Sequence, residues 1–203
     1  MKPMTVSLVG LPGSGKTTLC RPLATHFGFK PFILGDGLRQ RSISDADLRA
    51  SLARGELAPE GLVLDLVREA ASNATHQGLV LDGFPRHSGQ LPFAAATFHS
   101  WRILWLDTDV EVAASRLRLR RICGYCGFVS TPNSDAAACS NCGACNWKRR
   151  AEDESSALLA RLERFRELLA SMLDEVQGVR VYRIDSTQSV TSVMNQAVSN
   201  LTA

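Results

Sequence analysis

Nowhere in this chain of 203 residues does an apolar run approach the roughly 18 residues that a membrane-spanning helix requires. The opening MKPMTVSLVG passes straight into a strand pattern, without the h-region and cleavage site of a signal peptide, so the cytosol is the expected compartment. Charge of one sign is also scarce. Against 23 Lys and Arg stand 20 Asp and Glu, and the net +3 is too mild to imply a nucleic-acid or membrane partner. Internal repeats and low-complexity tracts are missing. Cysteine is almost absent from most of the chain: Cys20 stands alone in an apolar helical stretch, while the other five of six crowd into Cys123 to Cys145. A disulfide framework would be spread over the fold, so this crowding points to metal ligation.

What is present reads as an α/β chain. Five apolar strand-like runs, TVSLVG, KPFILG, GLVLDG, WRILWLD and VRVYRID, are separated by segments with helical spacing. Such alternation predicts a three-layer fold, a five-stranded parallel sheet with helices on both faces. Ligands of such sheets sit at the carboxyl ends of the strands, where these runs close in Gly10, Gly35, Asp82 and Asp107. From Cys123 to about Trp147 the helical period stops and Gly, Ser, Asn, Pro and Cys dominate, which marks an insertion. The expected organisation is a core of 1–122 and 148–203 with an inserted subdomain at 123–147. After the insertion, Ala151 to Leu173 predicts one helix with an apolar stripe of Leu158, Leu162, Phe165 and Leu169. At about 100° per residue Arg161 falls inside that arc and Arg164 points away, and an inward guanidinium needs an anion to meet it.

Gly10, Gly15, Lys16 and Thr17 complete the pattern GxxxxGK[ST] between a strand and a helix. In GLPGSGKTT the backbone N–H groups of Gly13, Ser14, Gly15 and Thr18, on the loop that runs from Gly10 through Pro12, can wrap β-phosphate oxygens, aided by the positive end of the helix. Lys16 reaches the β and γ phosphates, and the Thr17 hydroxyl can ligate magnesium. This loop holds a nucleoside triphosphate. It leaves the phosphoryl acceptor open.

Three further stretches bear on the acceptor: GDGLRQ at Gly35 to Gln40, LVLDGFPRHSGQ at Leu79 to Gln90, and RLRLRR at Arg116 to Arg121. With the loop, they resemble the adenylate kinase family of nucleoside monophosphate kinases, in order and over nearly the whole chain. The resemblance implies reversible transfer of a phosphoryl group from ATP to AMP, with magnesium, in a P-loop NTPase-type fold that is usually monomeric. It places Arg39 and Arg86 on the acceptor's α-phosphate and Arg120, Arg150 and Arg161 around the transferring group. Arg116 would stack on the donor adenine with Gln188 nearby, and Asp82 would hold magnesium through water. Leu34, Leu57 and Ala58, within an acceptor-binding segment of about 34–63, would shape the AMP site together with Gly83 and Gln90, Gln90 reading the adenine edge. Such chemistry needs no carboxylate base, because a nucleoside monophosphate is largely dianionic at pH 7. Its difficulty is bringing two polyanions together, and a ring of permanently charged, forked arginines answers it. Leu34 stands where adenylate kinases usually carry threonine, so CMP or UMP remains an alternative acceptor. His87 reads as a surface residue.

Cys123 and Cys126, then twelve residues, then Cys139 and Cys142 form a pattern of structural-zinc type, with Cys145 as an alternative ligand. Iron also binds four cysteines. Some members of the same family carry zinc in a lid that closes over ATP, although with a longer span between the cysteine pairs. A lid of about 25 residues cannot bury enough apolar area to fold unaided, so a metal would replace its core. In RAED, Glu152 stands where the family usually has aspartate, and Glu152 and Asp153 are expected to pair with lid arginines. Two rival readings remain at this point: a P-loop kinase acting on a small hydroxyl metabolite, and a nucleotide-binding regulator whose cysteine ribbon, with Lys148, Arg149 and Arg150, contacts nucleic acid.

Overall fold

The computed structural model of the chain describes residues 3–74, 77–130, 137–154 and 156–203, and for 151 and 152 the backbone alone. The five apolar runs form β1 (Thr5–Val9), β2 (Lys30–Ile33), β3 (Leu79–Asp82), β4 (Trp101–Asp107) and, after the insertion, the last strand (Arg180–Asp185). They pair in parallel with that last strand beside β4, in the order β2, β3, β1, β4, last. Parallel strands are covered on both faces, and alternate residues face the two cores. Val6, Leu8, Val80, Leu104 and Ile184 bury into one cluster, and Val9, Leu79, Leu81 and Ile103 into the other. One polar intrusion is satisfied internally, since the Trp101 indole N–H donates to the Ser7 hydroxyl at 2.9 Å.

Helices α1 (Lys16–Phe27) and, at the C-terminal end, Val190–Thr202 cover the first face through Leu19, Leu23, Val193 and Ala197. The other face is covered by α2 (Leu34–Arg41), α4 (Glu60–Ser72), α5 (Leu91–Thr97) and a long helix, Leu158–Glu175, while α3 (Ala46–Ala53) meets that core through Leu52. The chain steps outward from β1 to β2, returns to β3, then crosses β1 to reach β4. The crevice this reversal leaves at the carboxyl ends of β1, β3 and β4 is where ligands of open parallel sheets bind.

Helix α6 (Val110–Leu119) leads into the insertion, which is bracketed by an antiparallel pair, β5 (Ile122–Cys123) and β6 (Trp147–Lys148). The single helix expected from Ala151 to Leu173 is two: α7 (Ala151–Glu154) and α8 (Leu158–Glu175), with Ser156 and Ala157 in a turn between them. No proline or glycine marks that break. Serine is only a middling helix former, and Asp153 is drawn into a buried ion pair just before the turn. With β7 (Arg180–Asp185) and α9 (Val190–Thr202) the order is complete.

Leu158 and Leu162 of α8 pack with Leu11, Val110, Ala113, Ala114 and Leu117 beneath the phosphate loop. This small cluster fixes α8 against α6, and with it the register of Arg161. Replacing the fully buried Leu162 with Ala is therefore expected to lower the unfolding free energy by about 2–5 kcal/mol. Urea denaturation measures it, and a loss below about 1 kcal/mol would contradict the assigned packing.

Candidate active site

The loop between β1 and α1 can fold only because its glycines have no side chains. Gly13 has φ +86, and a Cβ there would lie 2.6 Å from the Ala113 carbonyl oxygen; at Gly10 it would lie 2.5 Å from that of Leu106. The chain thus presses its backbone against α6 and the end of β4, leaving the N-terminus of α1 open to the crevice. Lys16 lies back along the loop, its Nζ donating to the carbonyls of Gly10 at 2.8 Å and Leu11 at 2.7 Å. Burial pushes its pKa from 10.5 down to about 8; Asp82 opposes the fall, and Arg86 and Arg120 add to it. The Thr17 hydroxyl donates to the buried Asp82 carboxylate at 2.5 Å, so two oxygen donors suited to a hard divalent cation stand together.

A cavity of about 560 Å³ opens over this loop. Every residue assigned to the ATP side lines it: Gly10 and Pro12 to Thr18 from the loop and the start of α1, Arg116 from α6, Arg120 just past its end, and Gln188 before α9. Arg116 is aimed by its bonds to the carbonyls of Ser186 at 2.8 Å and Gly13 at 3.5 Å. Gln188 is held by Ser192 and Gln196, which both donate to its Oε1.

Of the acceptor-side residues, Arg39, Gly83, Arg86, Arg150 and Arg161 line the same cavity. Arg39 is paired with Asp36 at 2.5 Å, and the Arg86 Nε donates to the Gly83 carbonyl at 2.9 Å. Burial lowers the Arg86 pKa, Asp82 opposes the fall, and the charges of Arg39 and Arg161 add to it. Four assigned residues are not on this wall. Leu34 is wholly buried in the apolar core beneath α2, and Ala58 packs against that same core. Leu57 lines an adjoining recess of about 200 Å³ with Arg164 and Phe165. Gln90 is buried, its Oε1 accepting the Arg86 backbone N–H at 2.9 Å. It therefore steadies the segment that carries Arg86.

Asp153 joins the two sides. Its carboxylate, 3% exposed, accepts from Nε and Nη2 of Arg120, both at 2.8 Å, and lies 3.7 Å from Arg161. Arg161 is 13% exposed and turned inward, while Arg164 is exposed, as their helical directions require. The expected partner role of Glu152 falls on a side chain outside the described ones. The wall also includes residues that sequence reasoning missed: Arg49, Leu52 and Ala53, which share one face of α3, and Gly55 and Glu56 just after it. Their spacing of three and four residues was the available signal.

These features can be compared with known proteins. The family model described as adenylate kinase matches residues 8–179. The chain belongs to the adenylate kinase family. An adenylate kinase of Nitrosococcus oceani is 30% identical over 207 residues, covering 94% of each chain. One of Haloarcula marismortui is 33% identical over 182 residues, covering 83% of this chain and 82% of its own. Membership makes this protein a nucleoside monophosphate kinase, a phosphotransferase of the P-loop type. Among the described residues no helix is long and apolar enough to cross a membrane.

As in any adenylate kinase family member with an inserted cysteine segment, the metal question turns on whether the sulfurs converge. Here those of Cys123, Cys126, Cys139 and Cys142 all lie within 4.8 Å of one another. The pairs 123–142 and 126–139 are each 3.6 Å apart, against about 3.8 Å for tetrahedral sulfurs at zinc–thiolate distance. The Asn141 side chain and the Phe128 amide lower the Cys126 pKa to about 6. Cys142 rises to about 12 despite the Ala144 amide, because Cys126, Cys123 and Cys139 face it. Four sulfurs this close could all ionise only with a cation between them, and the cluster could hold one. Cys145 is exposed, with its sulfur toward the Gly143 carbonyl, and stands outside the cluster.

The depressed Lys16 pKa has a consequence for stability. Between about 8 and 10.5 the unfolded chain holds the Lys16 proton and the folded chain gives it up, so this group makes folding more favourable as pH rises. In the nucleotide-free protein the stability of wild type relative to Lys16→Gln is expected to increase from pH 7.5 to about pH 10. Urea midpoints of both proteins at the two pH values test this, and a flat or falling difference would contradict it.

Proposed function

We propose that this protein catalyses the reversible, magnesium-dependent transfer of the γ-phosphoryl group of ATP to AMP, giving two ADP. One observation carries the reading: Arg39, Arg86, Arg120, Arg150 and Arg161 converge with Lys16 on one cavity whose wall has few carboxylates. Those carboxylates are engaged, Asp82 by Thr17 and Glu56 by Arg54 and Ser51. A kinase of hydroxyl groups wants a free base beside its acceptor. A kinase of phosphates wants guanidinium groups, and the cavity has those.

In this mechanism the α1 N-terminus and Lys16 hold the donor's β and γ phosphates, and Arg116 packs its planar guanidinium on the donor base. Arg39 and Arg86 grip the acceptor's α-phosphate by their forks. Arg120, Arg150 and Arg161 face the group in flight, whose charge spreads over its equatorial oxygens. Thr17 and Asp82 suit a magnesium ion, which neutralises phosphate charge when bound. The acceptor's phosphate would be bound as its dianion, so no residue has to take a proton from the nucleophile. The free, clustered thiols are consistent with a reducing cytoplasm.

The four-cysteine cluster fits a structural zinc ion, all four positions being filled by protein sulfur and none left for substrate. We assign residues 123–147 to a lid and about 34–63 to an acceptor-binding segment. Arg120 and Arg150 flank the lid, so closing it would carry charge onto the phosphates and shed water.

Mixing the protein with ATP, magnesium and AMP, CMP, UMP or GMP in turn, and following ADP, tests the acceptor. ADP formed with AMP well ahead of the others is expected; preference for CMP or UMP would move the reading to a pyrimidine kinase, and turnover with none would reject it. Removing metal from the cysteine cluster with a chelator is expected to lower the Tm and to raise ATP hydrolysis relative to transfer. An unchanged Tm after metal loss has been verified would contradict a structural ion.

A further inference from the structure

Gly55, just past α3, has φ +74, and a Cβ built on it would lie 2.5 Å from Cδ of Arg161 and 3.0 Å from its Nη1. The acceptor-side segment thus offers bare backbone where the Arg161 side chain crosses it. That side chain has little freedom to yield, because it is 13% exposed and its far end lies 3.7 Å from Asp153, itself clamped by Arg120. The structure contains its own control. Gly28, the C-cap of α1, has φ +67 and nothing within 4 Å of the same built Cβ. Both sites require a left-handed residue, and only Gly55 also requires the absence of a side chain.

We propose that Gly55 is a positioning residue for phosphoryl transfer: it seats the Arg161 guanidinium over the cavity and ties the acceptor-side segment, through Asp153, to Arg120 at the lid root. Two ends of the cavity are then linked by one chain of contacts: Gly55, Arg161, Asp153, Arg120. A shift of the segment after α3 moves Arg161, and a shift of Arg161 loosens the pair that Arg120 makes. Only the kinetic half of this inference rests on the proposed kinase function.

The test compares Gly55→Ala with Gly28→Ala, each in wild type and in an Arg161→Ala background. In wild type, Gly55→Ala is expected to lower Tm further than Gly28→Ala does, and to lower kcat for ADP formation by about tenfold or more beyond it. In the Arg161→Ala background, Gly55→Ala should cost no further kcat and only as much Tm as Gly28→Ala. Equal losses from Gly55→Ala in both backgrounds would overturn the proposal, because the strain would then come from the backbone alone. Should Gly55→Ala fail to fold with Arg161 present, folding restored by Arg161→Ala supports it, and failure in both backgrounds overturns it. If wild type transferred no phosphoryl group, the kinase reading would fall while the Tm cycle still decided the contact.

Discussion

Guanidinium groups crowded into one cavity repel each other, and this fold holds them there with few carboxylates for relief. Like charges about 8 Å apart cost about 2 kcal/mol at an effective dielectric near 20. The cost is visible in the molecule: burial depresses Lys16 and Arg86, and neighbouring arginines depress both further. Part of the charge is neutralised by paired carboxylates. Asp36 pairs with Arg39 in a half-exposed site, and the buried Asp153 pairs with both Arg120 and Arg161. A buried pair of this kind contributes little when intact and costs several kcal/mol when one partner is lost. Its use is geometric. The arginines keep N–H groups to offer to phosphate.

The sheet supplies the rigid side of that arrangement. Gly10 and Gly13 let the phosphate loop lie against β4 and α6 closer than any other residue would allow. The crossing from β3 over β1 to β4 opens the crevice at the point where the loop ends. The cysteine segment solves the opposite problem, being too small to carry an apolar core. Four sulfurs brought within 4.8 Å would replace buried area by coordination if they hold a metal, and the short β5 and β6 strands pin both roots of the segment beside Arg120 and Arg150.

How much of this was legible in the sequence follows from how local each cause is. The five strands were, because the central β1 and β3 are largely apolar and buried on both faces and the more exposed edge strands β2 and β7 keep the same alternation with helices. The donor side was as well, since a glycine loop, a lysine and a helix N-terminus are contiguous in the chain and act through their own backbone. Arg161 was legible from its angle within an apolar stripe. The break between α7 and α8 was not, because it is set by the pairing of Asp153 with residues on two other elements. Arg49 and Leu52 on the cavity wall were missed for a related reason: α3 meets the core through Leu52, and its inward face carries no sustained apolar stripe.

The acceptor wall is where resemblance and geometry part most. Leu34, expected to help shape the acceptor site where relatives usually carry threonine, is fully buried in the apolar core under α2. A threonine there would bury a hydroxyl among leucines and need a partner, so the leucine serves packing in this chain. Gln90 also gives its carbonyl to the Arg86 backbone rather than to the cavity. That bond links the two tasks of the acceptor side. In the proposed mechanism, an amide that holds the Arg86 backbone would also set the depth at which the acceptor's α-phosphate can sit. If Arg86 and Arg39 hold the acceptor's phosphate as proposed, any base the pocket accepts must be compatible with the phosphate position they set, and phosphate geometry would constrain the acceptor before base identity does.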